Sequence, residues 1–265
     1  MSSYLILFFK YNIYIIKKRG DNLNVFERFE TKYLISRDMA LAMKKFLNTR
    51  NISVDQYGLS TIQSLYFDTF NDLLVLRSLE HPFYKEKLRL RCYGKANDSS
   101  KLYLEIKKKS LGIVYKRRIE TNYKEYHDFI NFYLYYDGQI GNELNYFRDY
   151  YKTLRPKILM LYEREAFVDP NSDLRITFDY DIRYRNYDLE PSSNINGKKL
   201  VGDYVLMEIK TAYSYPLWLA RFLSDNKIYK TSFSKYGYAY LEQNRNVERN
   251  EVLWKTSLSP SLVMA

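Results

Sequence analysis

Lys85-Glu86-Lys87-Leu88-Arg89-Leu90-Arg91-Cys92-Tyr93 decides how the rest of the chain is read, because every odd position from Lys85 to Arg91 is a cation and the positions between turn apolar from Leu88. Successive side chains of a β-strand point to opposite faces, so this strand has one basic face and one apolar face. The same period returns at 101–109, 114–120, 174–183 and 205–210, and more loosely at 28–33 and 162–165. Such strands bury the apolar side and leave the destination of the charged side open. Gathered on one surface, Lys32, Arg89, Arg91, Lys107, Lys116, Arg118, Arg164, Arg175 and Lys210 outnumber Glu30, Glu105, Asp179 and Glu208. Crowding like charges costs on the order of 1 kcal/mol per close pair even in water, more at lower dielectric. A polyanion would relieve that cost.

Composition sets the bounds. The 265 residues are 46% hydrophobic, enough for a real core, and no Pro/Gly/Ser-rich linker divides them, so one main domain is expected over 25–241. A net charge of +11 points to anionic partners. The single cysteine, Cys92, excludes an intrachain disulfide framework and a Cys-based zinc site, and fits a reducing, cytoplasmic setting. Residues 1–24 form an apolar extension followed by Lys17-Lys18-Arg19; it is shorter than a spanning helix needs and interrupted by Lys10, which suggests an extra strand or a segment lying on a membrane surface. A membrane-associated location and a membrane protein partner therefore stay open. The tail, 242–265, is expected to be polar and loose.

Along the chain, Ser36 followed by Met39, Met43, Phe46 and Leu47 predicts an N-capped helix over about 37–49. A short strand is expected at 63–68. Hairpin loops are expected at 94–100 and 110–112, and helical spacing at 125–152 is broken at Asp137-Gly138. Strands resume near 157–168, 174–184 and 204–211, and Pro216 opens a last short helix. This predicts an α+β fold with about eight antiparallel strands closed into a barrel, the polar face either outward or lining a wet, cationic bore whose apolar exterior is covered by helices. Periodicity alone does not choose between the two.

Eight ordered segments resemble the VTC (vacuolar transporter chaperone) polyphosphate polymerase domain: 28–33, 87–94, 104–107, 114–118, 161–167, 174–179, 207–211 and 232–236. That family belongs to the triphosphate tunnel metalloenzymes. The resemblance implies a charged β-tunnel that holds ATP or polyphosphate with Mn2+ or Mg2+ and transfers the γ-phosphoryl group to a growing chain. It assigns Arg89, Arg91, Lys107, Arg164, Arg175 and Lys210 to catalysis and Lys32, Lys116, Arg118, Tyr162, Ser234 and Lys235 to substrate binding. Glu208 becomes the first metal ligand, with Glu30, Glu105 and Asp179 as weaker candidates. The related CYTH branch opens with Glu-x-Glu-x-Lys, but Arg28 takes the place of its first acid, which argues against that branch's cyclases and thiamine-triphosphatases. Lys230 lies just upstream of the position where the family often has a further Lys.

The bland readings are solvated strand faces for the cations, a simple ion pair for Glu208 and Lys210, turn-forming roles for Asp179 and Asp181, and incidental roles for His81 and His127. No glycine-rich phosphate loop is present, so any nucleotide is held by side chains. A hydrolase of tripolyphosphate or a nucleoside triphosphate is the alternative enzyme. A non-catalytic binder of polyphosphate or RNA is the alternative module, disfavoured because a pure polyanion binder has no need of Glu208.

Overall fold

Alternation along the chain produces one dominant sheet. The computed structural model describes residues 5–9, 12–16, 29–80, 82–110, 113–212 and 214–245. Its elements are β1 (Leu5–Phe9), β2 (Asn12–Ile16), β3 (Phe29–Ile35), α1 (Arg37–Asn48), β4 (Ser53–Val54), β5 (Ser60–Asp68), α2 (Leu73–Leu79), β6 (Tyr84–Tyr93), β7 (Leu102–Ser110) and β8 (Ile113–Thr121). There follow α3 (Tyr123–Ile130), α4 (Gly138–Tyr151), β9 (Arg155–Val168), β10 (Arg175–Arg185), β11 (Lys198–Lys199), β12 (Val205–Thr211), α5 (Leu217–Asp225) and a helix over 235–245, α6. β1 and β2 form a separate hairpin. The other ten strands make an antiparallel sheet in the order β3-β12-β10-β9-β5-β6-β7-β8, with β11 beside β10 and β4 beside β9.

The expected closed barrel is not what forms. Among the described residues β3 and β8 share no ladder, so the sheet is open. It is strongly curled all the same: Lys107 Nζ of β7 lies 3.4 Å from Glu30 Oε2 of β3, near the opposite end of the strand order. Long Lys and Glu side chains bridge a gap that two backbones, which must come within about 4.8 Å to pair, do not. The result is a trough.

Its charged face is the concave one. The convex face carries two helical coats. Leu65, Leu88, Leu90, Leu104 and Ile106 pack under Tyr126 and Phe129 of α3 and Leu144 and Phe147 of α4. Tyr33, Ile176, Phe178, Met207 and Ile209 pack under Ala40, Met43 and Leu47 of α1 and Leu219 and Leu223 of α5. Ser36 caps α1 as its sequence predicts, its hydroxyl accepting from Met39 N at 3.2 Å. Each fully buried Leu or Met in these seams contributes about 1.5–3 kcal/mol.

One end of the concave face is apolar and is filled by α6, whose Tyr236, Ala239 and Tyr240 pack on Tyr66, Ile158, Met160, Ile182 and Leu206. Pro216 opens α5 as expected, but α5 is not the last helix among the described residues, and α6 runs through the boundary expected at 241/242. The rest of the tail lies outside the described residues, as do Lys17-Lys18-Arg19 and His81. No helix among the described residues is long and apolar enough to cross a membrane.

Candidate functional site

Register brings the charged side chains together. Thr177 stands opposite Glu208, Glu208 opposite Lys32, Lys210 opposite Glu30, and Asp179 opposite Arg164, so β3, β12, β10 and β9 present one patch. Arg164 grips buried Asp179 with both arms of its fork, at 2.5 and 2.7 Å. Lys235, the first residue of α6, bridges Asp179 at 2.5 Å and Glu208 at 3.2 Å. Arg164, Lys32 and Lys210 each stand 3.8 Å from Glu208. Lys32 and Lys107 reach Glu30 at 3.4 Å.

A second patch lies across the trough on β6, β7 and β8. Buried Glu105 pairs with Arg89 and Lys116 at 2.7 Å and with Arg118 at 3.9 Å. Arg118 sits at the rim, its guanidinium over the Tyr103 ring. Arg91 donates to Tyr162 Oη at 3.1 Å and to Ser64 Oγ, and Arg89 donates to Tyr66 Oη at 3.2 Å. Tyr162 links the patches, because the Lys235 ammonium and the Arg164 guanidinium both lie over its ring. Ser234 Oγ accepts from Lys87 Nζ at 3.0 Å and from Gly237 N, which caps α6.

Of the residues expected at a site, Arg175 stands apart. It opens β10 at the mouth of the trough, is about half exposed and pairs with Asp55 at 3.1 Å. Lys230 is exposed, and among the described residues it has no hydrogen bond or ion pair in the trough. Asp181 sits at the β-bulge where the register between β9 and β10 shifts, with a left-handed φ of 50°, while Asp179 is wholly inside. Sequence reasoning missed Ser64, Tyr66 and Thr177 as lining residues. Each lies on the charged phase of its own strand's alternation, which was the available signal.

Electrostatics separate the groups. Burial would raise the Glu30 carboxyl, but Lys107, Lys32 and Lys210 overcome this and hold it at about 2, even with the Glu208 charge opposing them. Glu105 is likewise held at about 2 by Arg89, Arg91 and Lys116 against its burial. Glu208 stays well below the ordinary range because Lys235, Lys32, Arg164 and Lys210 outweigh burial. Burial lowers Lys116 to about 8 despite Glu105. The Tyr66 and Tyr162 phenols are lowered against their burial by Arg89 and Arg91 respectively, with further cations around each. Both phenol oxygens already accept from arginine, which leaves their own protons to donate to an anion.

For a metal, Asp179 and Glu105 already hold arginine or lysine nitrogens at 2.5–2.7 Å, closer than any cation stands to Glu30 or Glu208. Glu30 and Glu208 lie diagonally on neighbouring strands and offer hard oxygen donors. Beside Glu208 the Thr177 hydroxyl is buried without a partner among the described residues. No cluster of three His, Cys, Asp or Glu with metal-holding geometry occurs among the described residues. The set fits an ion held by one or two carboxylates with the remaining ligands supplied by water and phosphate, the usual mode for Mg2+. A surface cavity of about 400 Å³ lies elsewhere, among Phe46, Arg50, Trp218 and Phe222 on the convex side.

No curated protein matches the chain. Among solved structures, a candidate adenylate cyclase from Bacillus halodurans is 12% identical, covering 78% of this chain and 95% of its own, with a TM-score of 0.49. A candidate adenylyl cyclase from Hippeastrum, described as having a dominant triphosphatase activity, is 16% identical, covering 78% and 92%, with a TM-score of 0.47. At such identities and scores these likenesses carry no statement about substrate or reaction. The model of the VTC domain, in contrast, matches residues 27–242, nearly the whole described sheet and its helices, and the chain belongs to the VTC domain family.

Proposed function

We propose that the chain binds the triphosphate of ATP in the trough and transfers the γ-phosphoryl group to a growing polyphosphate chain, with Mn2+ or Mg2+ held through Glu208 and Glu30. One observation carries the reading: lysines and arginines from β3, β6, β7, β8, β9, β12 and α6 converge on one concave face that also holds buried carboxylates. Membership of the VTC domain family supports it.

Phosphoryl transfer asks for positioning and charge neutralisation more than covalent catalysis. Arg89, Arg91 and Arg164 keep guanidinium N–H donors beyond those engaged by Glu105, Tyr66, Ser64, Tyr162 and Asp179, and those partners hold the planar groups in place for phosphate oxygens. Lys32, Lys107, Lys116, Lys210 and Lys235 add point charges, and Tyr66 and Tyr162 add hydroxyl donors. The cations outnumber the carboxylates, so the trough gains Coulomb energy when a polyanion enters. A bound divalent ion would neutralise charge on the phosphate oxygens during transfer. Glu208, surrounded by cations, stays ionised throughout the physiological range and so remains a competent ligand.

The test is the product formed from ATP and manganese by the purified chain. The reading expects an acid-labile polymer that a polyphosphate-specific phosphatase digests. Free phosphate without polymer would make the chain a hydrolase with water as acceptor. Binding without turnover would leave a polyphosphate-holding module.

A further inference from the structure

The alternation that puts Arg89 and Arg91 on the concave face of β6 ends on Tyr93, and on β7 the face that carries Lys107 and Glu105 continues to Tyr103. Charge gives way to aromatic rings at the same end of both strands. Tyr103 stands directly opposite Arg91, and the Tyr93 and Tyr103 rings meet edge to face, their centroids 6.0 Å apart at 76°. The Arg118 guanidinium of β8 lies 4.3 Å from the Tyr103 ring centroid. Tyr93 is carried on a pinned strand end, because Gly94, at a left-handed φ of 72°, turns the chain and donates its N–H to the Thr61 carbonyl at 2.8 Å. Tyr93 is 49% exposed and the Arg118 side chain 44%. Formal charge is balanced beside them, where Glu120, opposite Tyr103, pairs with Lys101 at 2.8 Å. The far end of the trough offers no such surface: Tyr66 and Tyr236 stack on each other at 4.7 Å and both are buried.

We propose that Tyr93, Tyr103 and Arg118 form a stacking platform for the base of a nucleoside triphosphate whose phosphates lie against Arg91, Arg89 and Lys116. Aromatic rings and guanidinium planes are the surfaces on which unpaired bases stack. An uncharged base gains little among the crowded cations further in, and it gains most from half-exposed planes that it can cover. From Arg91 to Tyr93 the strand advances about 7 Å, which leaves room for a ribose between a base on the platform and a phosphate on Arg91. The proposal rests on the functional reading above and deepens it, since it makes a nucleoside triphosphate the preferred ligand over inorganic triphosphate. It also orients that ligand, base at the mouth and γ-phosphoryl group deeper in the trough. Stacking tolerates any base, so the platform selects for a base without choosing which one.

The test measures ATP and inorganic tripolyphosphate by calorimetry, at one ionic strength and without metal so that neither turns over, on the native chain and on Y93A/Y103A. Loss of the stacked base should weaken ATP roughly fivefold or more and tripolyphosphate less than about twofold. If the double variant does not melt cooperatively, Y93L and R118K decide. Y93L keeps bulk at an exposed strand end, and R118K keeps the charge but loses the plane. Each should weaken ATP about threefold or more, and by more than it weakens tripolyphosphate. Saturation-transfer NMR reads the contact directly: on the native chain the adenine protons of ATP should receive more saturation than the ribose protons, and in Y93L they should lose that excess. Equal losses for both ligands, no loss for either, or adenine protons saturated no more than ribose protons would each overturn the platform. If tripolyphosphate itself fails to bind the native chain, the functional reading falls and the platform with it. If tripolyphosphate binds but the base adds no tyrosine-dependent affinity, only the platform falls.

Discussion

At the scale of single residues, the trough is a set of charges whose meaning depends on what already satisfies them. Asp179 and Glu105 hold their nearest cations at 2.5–2.7 Å, whereas the cations around Glu208 stand back, Lys235 at 3.2 Å and Lys32, Arg164 and Lys210 at 3.8 Å. Glu208→Gln is therefore expected to abolish metal-dependent turnover while tripolyphosphate, measured by calorimetry without metal, binds as well as before or more tightly. Retained turnover would remove Glu208 from the metal site. Arg164→Ala should cost about 1–3 kcal/mol of tripolyphosphate affinity, the worth of a charge-assisted bond. Arg175→Ala, which removes a half-exposed pair with Asp55, should change that affinity by less than about 1 kcal/mol. Alternation placed Arg175 on the same face as Thr177 and Asp179, and that much is legible in the chain. Its escape to Asp55 depends on where β4 lies, which no local pattern states.

At the scale of elements, α6 is what completes the site, and it is the element the periodicity reading passed over. Its signals were present: Ser234 as cap, then Tyr236, Ala239 and Tyr240 at helical spacing. They were masked by the surrounding run of polar and aromatic residues, which resembles the strands upstream. The helix is anchored by Tyr236 Oη, which donates to buried Asp68 at 2.6 Å; Asp68 also accepts from Leu74 N and Val75 N at the start of α2. One carboxylate thus ties α2 and α6 together, and α6 in turn presents Lys235 to Asp179 and Glu208. Tyr236→Phe should leave that carboxylate one donor short and cost about 1–3 kcal/mol of stability in denaturant unfolding. Lys235 should at the same time become less ordered, seen as weaker tripolyphosphate binding. Unchanged stability and affinity would mean that apolar packing alone seats the helix.

At the scale of the whole molecule, the charge distribution makes stability a function of pH. Glu30 and Glu105 are held near 2 against an ordinary 4.5, so the unfolded chain binds their protons first. Their stabilisation is full above about pH 4.5 and is lost as pH falls toward 2, which melting temperatures across that window would show. Lys116 behaves in the opposite sense. It is lowered from 10.5 to about 8, so the free protein gains stability between those values as the unfolded chain's lysine is the one still protonated. The rise in melting temperature produced by tripolyphosphate should therefore be larger at about pH 7, where Lys116 is charged, than at about pH 9.5; an equal rise at both would place Lys116 outside the binding surface. What the chain determined by itself was the phase of each strand and hence the membership of a basic and an apolar face, because side-chain direction has a period of two and is set locally. Which face turns inward was decided by tertiary structure, through α1, α3, α4 and α5 covering the apolar side. So was the outcome that the sheet curls without closing, because meeting of the β3 and β8 edges depends on curvature summed over eight strands rather than on any stretch of sequence.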